Sequence, residues 1–296
     1  MCSSLAKYSR ASFVLIVVAC SSDMTTRPID EQSLVLAYTS ETAFHCEIVL
    51  ASLDGTKRSI PNLCGSDVAW SPDGTRLAFN KYGGEALPPT LWVINADGSE
   101  ATEVSAIGLV GPEWSPDGTR LATIYLGGGI LHVIQADGSG GTEFPVASGL
   151  NFDRPSWSSD GSEIMYTRLD TLWSANVTSK VARVQCVPGL HQMMGARWSP
   201  DGTRISVDAR TSNRFGEFVM SADCSNQIQL SDGSFDGGWA SWSPDGTHLV
   251  FSSTVDDDGG TVDVFEVSSD GSSAPRNLTH NASGNASIFP DWARAR

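Results

Sequence analysis

Few side chains in this sequence combine reactive chemistry with a spacing that would let them act together. The five histidines, His45, His132, His191, His248 and His280, do not cluster. No Gly-x-Ser-x-Gly turn lifts a serine nucleophile, and neither Gly-x4-Gly-Lys nor His-Glu-x-x-His occurs. The one acidic run, Asp256-Asp257-Asp258-Gly259-Gly260, lacks the alternating aspartates and distant glutamate that wrap calcium, and reads as a solvated loop. No Cys-x-x-Cys pair occurs, so zinc is not expected. The sequence names no catalytic residue, no metal ligand and no cofactor.

What the sequence does carry is a repeat. VAWSPDGTRLAF begins at Val68, PEWSPDGTRLAT at Pro112, PSWSSDGSEIMY at Pro155, ARWSPDGTRISV at Ala196 and ASWSPDGTHLVF at Ala240. A truncated copy, PDWARAR, closes the chain from Pro290. The tryptophans Trp70, Trp114, Trp157, Trp198, Trp242 and Trp292 recur every 41 to 50 residues, the period of one four-stranded propeller blade. Trp sits on a short inner strand, Pro-Asp-Gly makes a turn, and an alternating strand such as Arg76-Leu77-Ala78-Phe79 follows. LWVINADGSE from Leu91, LHVIQADGSG from Leu131 and VFEVSSDGSS from Val264 read as third strands entering an Asp-Gly hairpin. The first apolar strand, from Leu34, looks like the strand after the turn, and Trp292 lies on the strand before it. Pairing the two ends completes a sixth blade and protects its edges. The expected fold is all-β, a six-bladed β-propeller over residues 33–296 with the sixth blade closed by the N- and C-terminal strands.

WSPDGTRLAF together with the x-Val-x-Asn-Ala-Asp-Gly-Ser element resembles the TolB-type propeller repeat, a relative of the WD-repeat class, and the match spans the repeat region. That resemblance implies a propeller-only relative rather than a full TolB protein, which carries an α/β domain before the propeller. It also implies a protein- or peptide-binding role.

The first 32 residues read as a separate object. Lys7 and Arg10 precede an apolar run, Ala11–Ala19, too short to span a bilayer, and Val17-Val18-Ala19-Cys20 resembles the lipobox of bacterial lipoproteins. Residues 1–19 are expected to be a signal, Cys20 the lipidated residue and 20–32 a flexible tether. The protein is then exported, held by lipid in the periplasm or at the cell surface. A formal charge of −15 argues against nucleic acid as a partner. Export permits disulfides. Cys46 and Cys64 lie symmetrically about the turn at Asp54-Gly55 and are expected to pair across a hairpin. Cys186 and Cys224 are left open between a pair and free thiols.

In a propeller, specificity belongs to loops that vary against the repeat. At the end opposite the Pro-Asp-Gly turns, these are Tyr82, Asp153, Arg154, His191, Arg197, Arg210, Arg214, Trp239 and Asp291. The residue before each Trp also varies in charge: Ala69, Glu113, Ser156, Arg197, Ser241, Asp291. The expected function is a non-catalytic, monomeric envelope module that binds a protein or peptide. The alternatives are a propeller hydrolase or lyase acting on a saccharide or peptide in the central tunnel, or a structural envelope protein.

Overall fold

The computed structural model describes residues 36–293 except 43–44, 54, 83–87, 106–107, 128, 145–153, 212–214, 232–235, 255–260 and 282–283. Cys20, Asp153, Arg214 and the run at 256–258 lie outside the described residues, as do the signal and tether.

Every regular element described is a β-strand. Four sheets have four strands each, all antiparallel. They are Ser66–Trp70, Arg76–Lys81, Thr90–Asn95 and Thr102–Ser105; Leu109–Trp114, Arg120–Tyr125, Ile130–Gln135 and Gly141–Glu143; Ser156–Trp157, Glu163–Arg168, Thr171–Asn176 and Ala182–Cys186; and His191–Trp198, Arg204–Arg210, Phe215–Ser221 and Ile228–Gln229. A fifth sheet has eight strands. Asp236–Trp242, His248–Thr254, Val262–Ser268 and Arg276–Asn277 form one antiparallel meander. Ala286–Trp292, Leu36–Thr42, His45–Ala51 and Lys57–Ser59 form another. A single parallel pair, Val262 with Ala286, joins them. The last strand thus lies against the first described one, Leu36 opposite Trp292.

Alternation along the strands gives each sheet two apolar faces, and the faces pack in a closed circuit. Leu77 and Phe79 meet Ala37, Ile48 and Leu50 of the terminal meander, while Ala78, one residue out of phase, meets Leu109, Trp114 and Leu121 of the next sheet. Ile124 and Leu131 pack on Ile164 and Tyr166; Met165 and Leu172 pack on Met193 and Ile205. Val219 and Leu230 pack on Trp242 and Phe251, and Val250 and Val264 return to Leu36, Tyr38 and Trp292. The sheets are in the propeller arrangement.

The Ser-Pro-Asp-Gly-Thr segment explains its own recurrence. Ser71 Oγ donates to Asp73 Oδ1 at 2.6 Å, the Thr75 amide and hydroxyl donate to the same oxygen, and the Arg76 amide donates to Ser71 Oγ. Gly74, at φ 65°, takes the left-handed position that the turn requires. The network recurs around Asp117, Asp160, Asp201 and Asp245. Ser159 in place of proline leaves it intact. The motif is a turn.

Cys46 and Cys64 are joined, with Cα atoms 5.0 Å apart. The hairpin alone does not align them. Its ladder pairs Ala51 with Lys57 and Val49 with Ser59, a register that would set Cys46 against Asn62. Ile48 instead bonds both Ile60 and Leu63, and the intervening turn, with Asn62 at φ 57°, takes up the two extra residues. Cys186 and Cys224 are also joined, Cα atoms 5.9 Å apart. This bridge ties the outer strand of one sheet to an outer turn of the next, where Cys224 occupies a left-handed position at φ 67°.

Candidate functional site: a tryptophan-ringed cavity in the channel

The six Trp-bearing strands line the axis, and each touches the next around the circle, Ala286–Trp292 against Ser66–Trp70 included. Hydrogen bonds connect the Trp of each strand to the residue before the Trp of the preceding one. Trp114 Nε1 donates to the Ala69 carbonyl, Trp157 Nε1 to Glu113 and Trp242 Nε1 to Arg197. Where that residue has a short polar side chain, the Trp backbone amide is the donor instead. The Trp198 amide donates to Ser156 Oγ, Trp292 to Ser241 Oγ and Trp70 to Asp291 Oδ2, at 2.8–3.1 Å. The ring closes without a gap.

Three residues before five of the six repeat tryptophans, all but Trp157, the inner strand bulges. The register slips at Ser66/Ala69, Val110/Glu113, Met194/Arg197 and Gly238/Ser241, and again opposite Ala37/Thr39. Asp67, Gly111, Gly195, Trp239 and Phe289 take positive φ there. A bulge re-aims the side chains beside it. Here it produces two layers in the channel.

The inner layer is filled. Arg154, 2% exposed, reaches across to donate to the Val68 carbonyl at 2.8 Å. Trp239 and Phe289 stack edge to face, centroids 4.8 Å apart. A Cβ at Gly195 would come 2.7 Å from Asp208 Oδ2, so glycine there leaves room for that carboxylate. Burial pushes the Asp67 carboxyl up, opposed by Arg154 and the Ser66 hydroxyl. Burial, then repulsion from Arg197, pulls Arg154 down.

The outer layer is open. It is a cavity of about 320 Å³ walled by all six repeat tryptophans, with Ser159, Pro200 and Pro244 of the turns at its rim. Glu113, Ser156, Arg197, Ser241 and Asp291 form its polar lining. Arg197 Nη1 stands 3.1 Å from Glu113 Oε2 and 3.4 Å from Asp291 Oδ1. Asp291 is fully engaged, accepting also from Ser241 Oγ and the Trp70 amide. Arg76, Arg120 and Arg204 lie over Trp114, Trp157 and Trp242, 4.6–4.9 Å from the ring centroids.

The residues singled out in the sequence therefore divide between levels of the channel. Glu113, Arg197 and Asp291 converge in the cavity, which opens toward the Pro-Asp-Gly turns. Arg154 and Trp239 fill the layer beneath. Tyr82, 56% exposed, and the pair His191 and Arg210, opposite one another in register, remain at the far end. There His191 Nδ1 lies 2.8 Å from Asp170, and Arg210 donates to Gln192. Three residues of sequence separate the two layers, and in five of the six repeats a bulge lies at that step.

Asp208 and Glu217 were not anticipated. They face each other across two strands, 0% and 2% exposed. Asp208 Oδ2 accepts from the Trp239 amide at 2.7 Å. Burial, then the neighbouring Asp208 charge and a side-chain hydrogen bond to it, push Glu217 well above the carboxylate range, against Arg197. A signal existed: Asn80, Thr167, Asp208 and Ser252 occupy one repeat position, polar within an apolar strand. Asn80 does for Gly111 what Asp208 does for Trp239, accepting its amide hydrogen.

Among the described residues no group of three or more His, Cys, Asp or Glu could hold a metal ion. No helix among them is long and apolar enough to cross a membrane.

Neither a family model nor a curated protein matches the sequence. Solved structures do. TolB from Acinetobacter baumannii superposes with TM-score 0.77 at 17% identity, over 89% of this chain and 67% of that one. A structure assigned to TolB from Agrobacterium tumefaciens gives 0.64 at 18%, over 88% and 99%. An oligogalacturonate lyase in complex with manganese gives 0.51 at 15%, over 83% and 73%. At these identities the likeness is one of fold: the chain has a β-propeller fold similar to that of the TolB structures.

Proposed function

We propose that this chain is a six-bladed, non-catalytic binding module of the bacterial envelope, exported and held by lipid at Cys20, which takes a protein or peptide segment into the turn-end cavity. The eight-stranded sheet counts as two blades in this reading, because among the described residues one parallel residue pair is the only strand pairing between its two antiparallel meanders. One observation carries the binding role: the channel is filled at the Arg154 layer and open at the tryptophan layer, so a rigid aromatic cup with a polar floor faces outward. Cups of this kind suit a side chain or chain end projecting from a larger partner. The enzyme alternative would draw on Glu113 and Asp291, but both carboxylates are tied to Arg197.

Capture from envelope extracts tests the reading. Ser159→Trp, at the exposed rim, should obstruct the cup and abolish capture of a partner that the native chain and Tyr82→Ala both retain. Capture indifferent to Ser159→Trp and lost with Tyr82→Ala would move the site to the other end. Radiolabelled palmitate incorporated by the native chain and not by Cys20→Ser tests the anchor.

A further inference from the structure

Trp70 Nε1 and Trp198 Nε1 are buried in the cup wall without an acceptor among the described residues, and the acceptor that the wall itself offers is a carboxylate. Glu113 is 9% exposed, and its Oε2 faces Arg197. Its Oε1 accepts no hydrogen bond seen among the described residues, and the side chain lines the cavity wall. Ser241 and Asp291 are spent on each other and on the ring amides. The lining holds two carboxylates against the single guanidinium of Arg197. Arg154 lies a layer deeper, beside Asp67 and bonded to the Val68 carbonyl.

The surroundings have the same sign. First and third strands of an antiparallel meander run the same way, so both turns of each sheet lie at one end. That end carries the five aspartates of the inner turns and also Asp97, Asp137, Asp223 and Asp270 of the outer ones. Hydroxyl and amide donors hold each of them below the usual carboxylate range, so all are ionised at neutral pH. The arginines nearest the cup are committed. Arg76 and Arg204 cover indole faces and donate to the Gly118 and Gly246 carbonyls, and Arg120 covers Trp157 and pairs with Asp117. A cation approaching this end is drawn to a cup whose free acceptor is a carboxylate oxygen and whose walls are aromatic.

We infer that the cavity receives a positively charged nitrogen, an ammonium or guanidinium, presented by the polypeptide partner. The inference rests on the binding role proposed above and names the chemistry that the site selects. Desolvated by six indoles, a charge-assisted N–H···O bond to Glu113 is the strong kind.

Tryptophan fluorescence, read on the full chain titrated with N-acetylated pentalysine and pentaarginine, free-amino pentaglycine, N-acetylated pentaalanine and N-acetylated pentaglutamate, tests it. Lysine, arginine and free-amine arms separate the possible sources of the nitrogen. At least one cationic probe should bind, and Glu113→Gln should weaken it about tenfold, a cost typical of losing one partner of a desolvated charged pair. Glu103→Gln removes the same formal charge from an exposed outer strand and should change affinity less than about twofold. Ser159→Lys adds a cation at the exposed rim without entering the core and should also weaken binding severalfold, which preserves the test should Glu113→Gln fold poorly. Equal losses in Glu113→Gln and Glu103→Gln would overturn the inference by showing diffuse attraction. Neutral or acidic probes bound independently of Glu113 would overturn it while leaving a peptide-binding cup. No binding by any probe would overturn both.

Discussion

The Arg154 guanidinium donates to the carbonyl of Val68, 86 residues earlier in the chain, and so spans the channel from one inner strand to another. This contact crosses the channel beneath the tryptophan-lined cavity. It also places a buried cation where Asp291, Glu113 and Asp67 offset it. Removing one member of such a group strands the others. Arg154→Leu should therefore lower unfolding free energy by about 3 kcal/mol in denaturant titration. Arg154→Lys should recover only part of it, since an ammonium lacks the planar fork. A neutral Arg154→Leu would mean that the plug is not part of the fold's stability.

Gly195 stands at φ 64°, where an added Cβ would come 2.7 Å from Asp208 Oδ2. Gly195→Ala should cost about 2 kcal/mol or more, from positive φ and displacement of a buried carboxylate together. Gly140→Ala, in open space, should stay within about 0.5 kcal/mol of the native chain. Equal thermal shifts in the two variants would contradict the assigned role of the bulge.

Glu217 favours its protonated form in the fold. The stability it contributes is fully present below the unfolded-state value of about 4.3 and is lost as pH rises through the elevated folded value. Glu217→Gln keeps the neutral shape and cannot ionise. Relative to the native chain it should gain stability as pH rises above the unfolded-state value. Parallel pH profiles would show that Glu217 is ionised throughout.

The turn aspartates act in the opposite sense. Asp117, Asp160 and Asp245 are held down to about 2 by serine hydroxyls and by backbone and hydroxyl donors of the residue two positions on. Their contribution is present above about pH 4 and is lost as pH falls toward 2. Replacing all three by Asn should lower the melting temperature at pH 7 and flatten its decline between pH 4 and pH 2. An unchanged acid limb would place the lost stability elsewhere.

Cys186–Cys224 closes a 38-residue separation between neighbouring sheets. Cys186→Ala with Cys224→Gly restores the glycine usual at that turn and removes the bridge. A cost approaching 4 kcal/mol is the chain-entropy ceiling, lessened by the gain from glycine at positive φ. Stability equal to or above that of the native chain would show the bridge to be dispensable.

The period of the tryptophans and the Ser-Pro-Asp-Gly turns made the propeller legible, because each repeat needs the same turn chemistry and the same alternating strand. The pairing of Leu36 with Trp292 was legible for the same reason, as half-motifs at the two ends. The variable residues before each Trp pointed into the channel's chemistry, but their level was not readable. The bulge is set by backbone φ at Asp67, Gly111, Gly195, Trp239 and Phe289, and the two aromatic residues do not announce a left-handed conformation. The Cys186–Cys224 bridge was unreadable because its partners occupy unlike repeat positions. Glu217 was missed because a buried acid leaves no periodic trace; only its partner Asp208 did.

The most direct test is hydrogen–deuterium exchange on the full chain with a polypeptide selected for binding to it. Protection is expected at Trp157–Ser159, Trp198–Pro200 and Ser241–Pro244, the tryptophan layer and its rim, with Tyr82 and the strand ends at His191 and Arg210 unchanged. Protection confined to Tyr82 and the strand ends at His191 and Arg210, with the tryptophan layer exchanging as before, would contradict the turn-end cup as the site of binding.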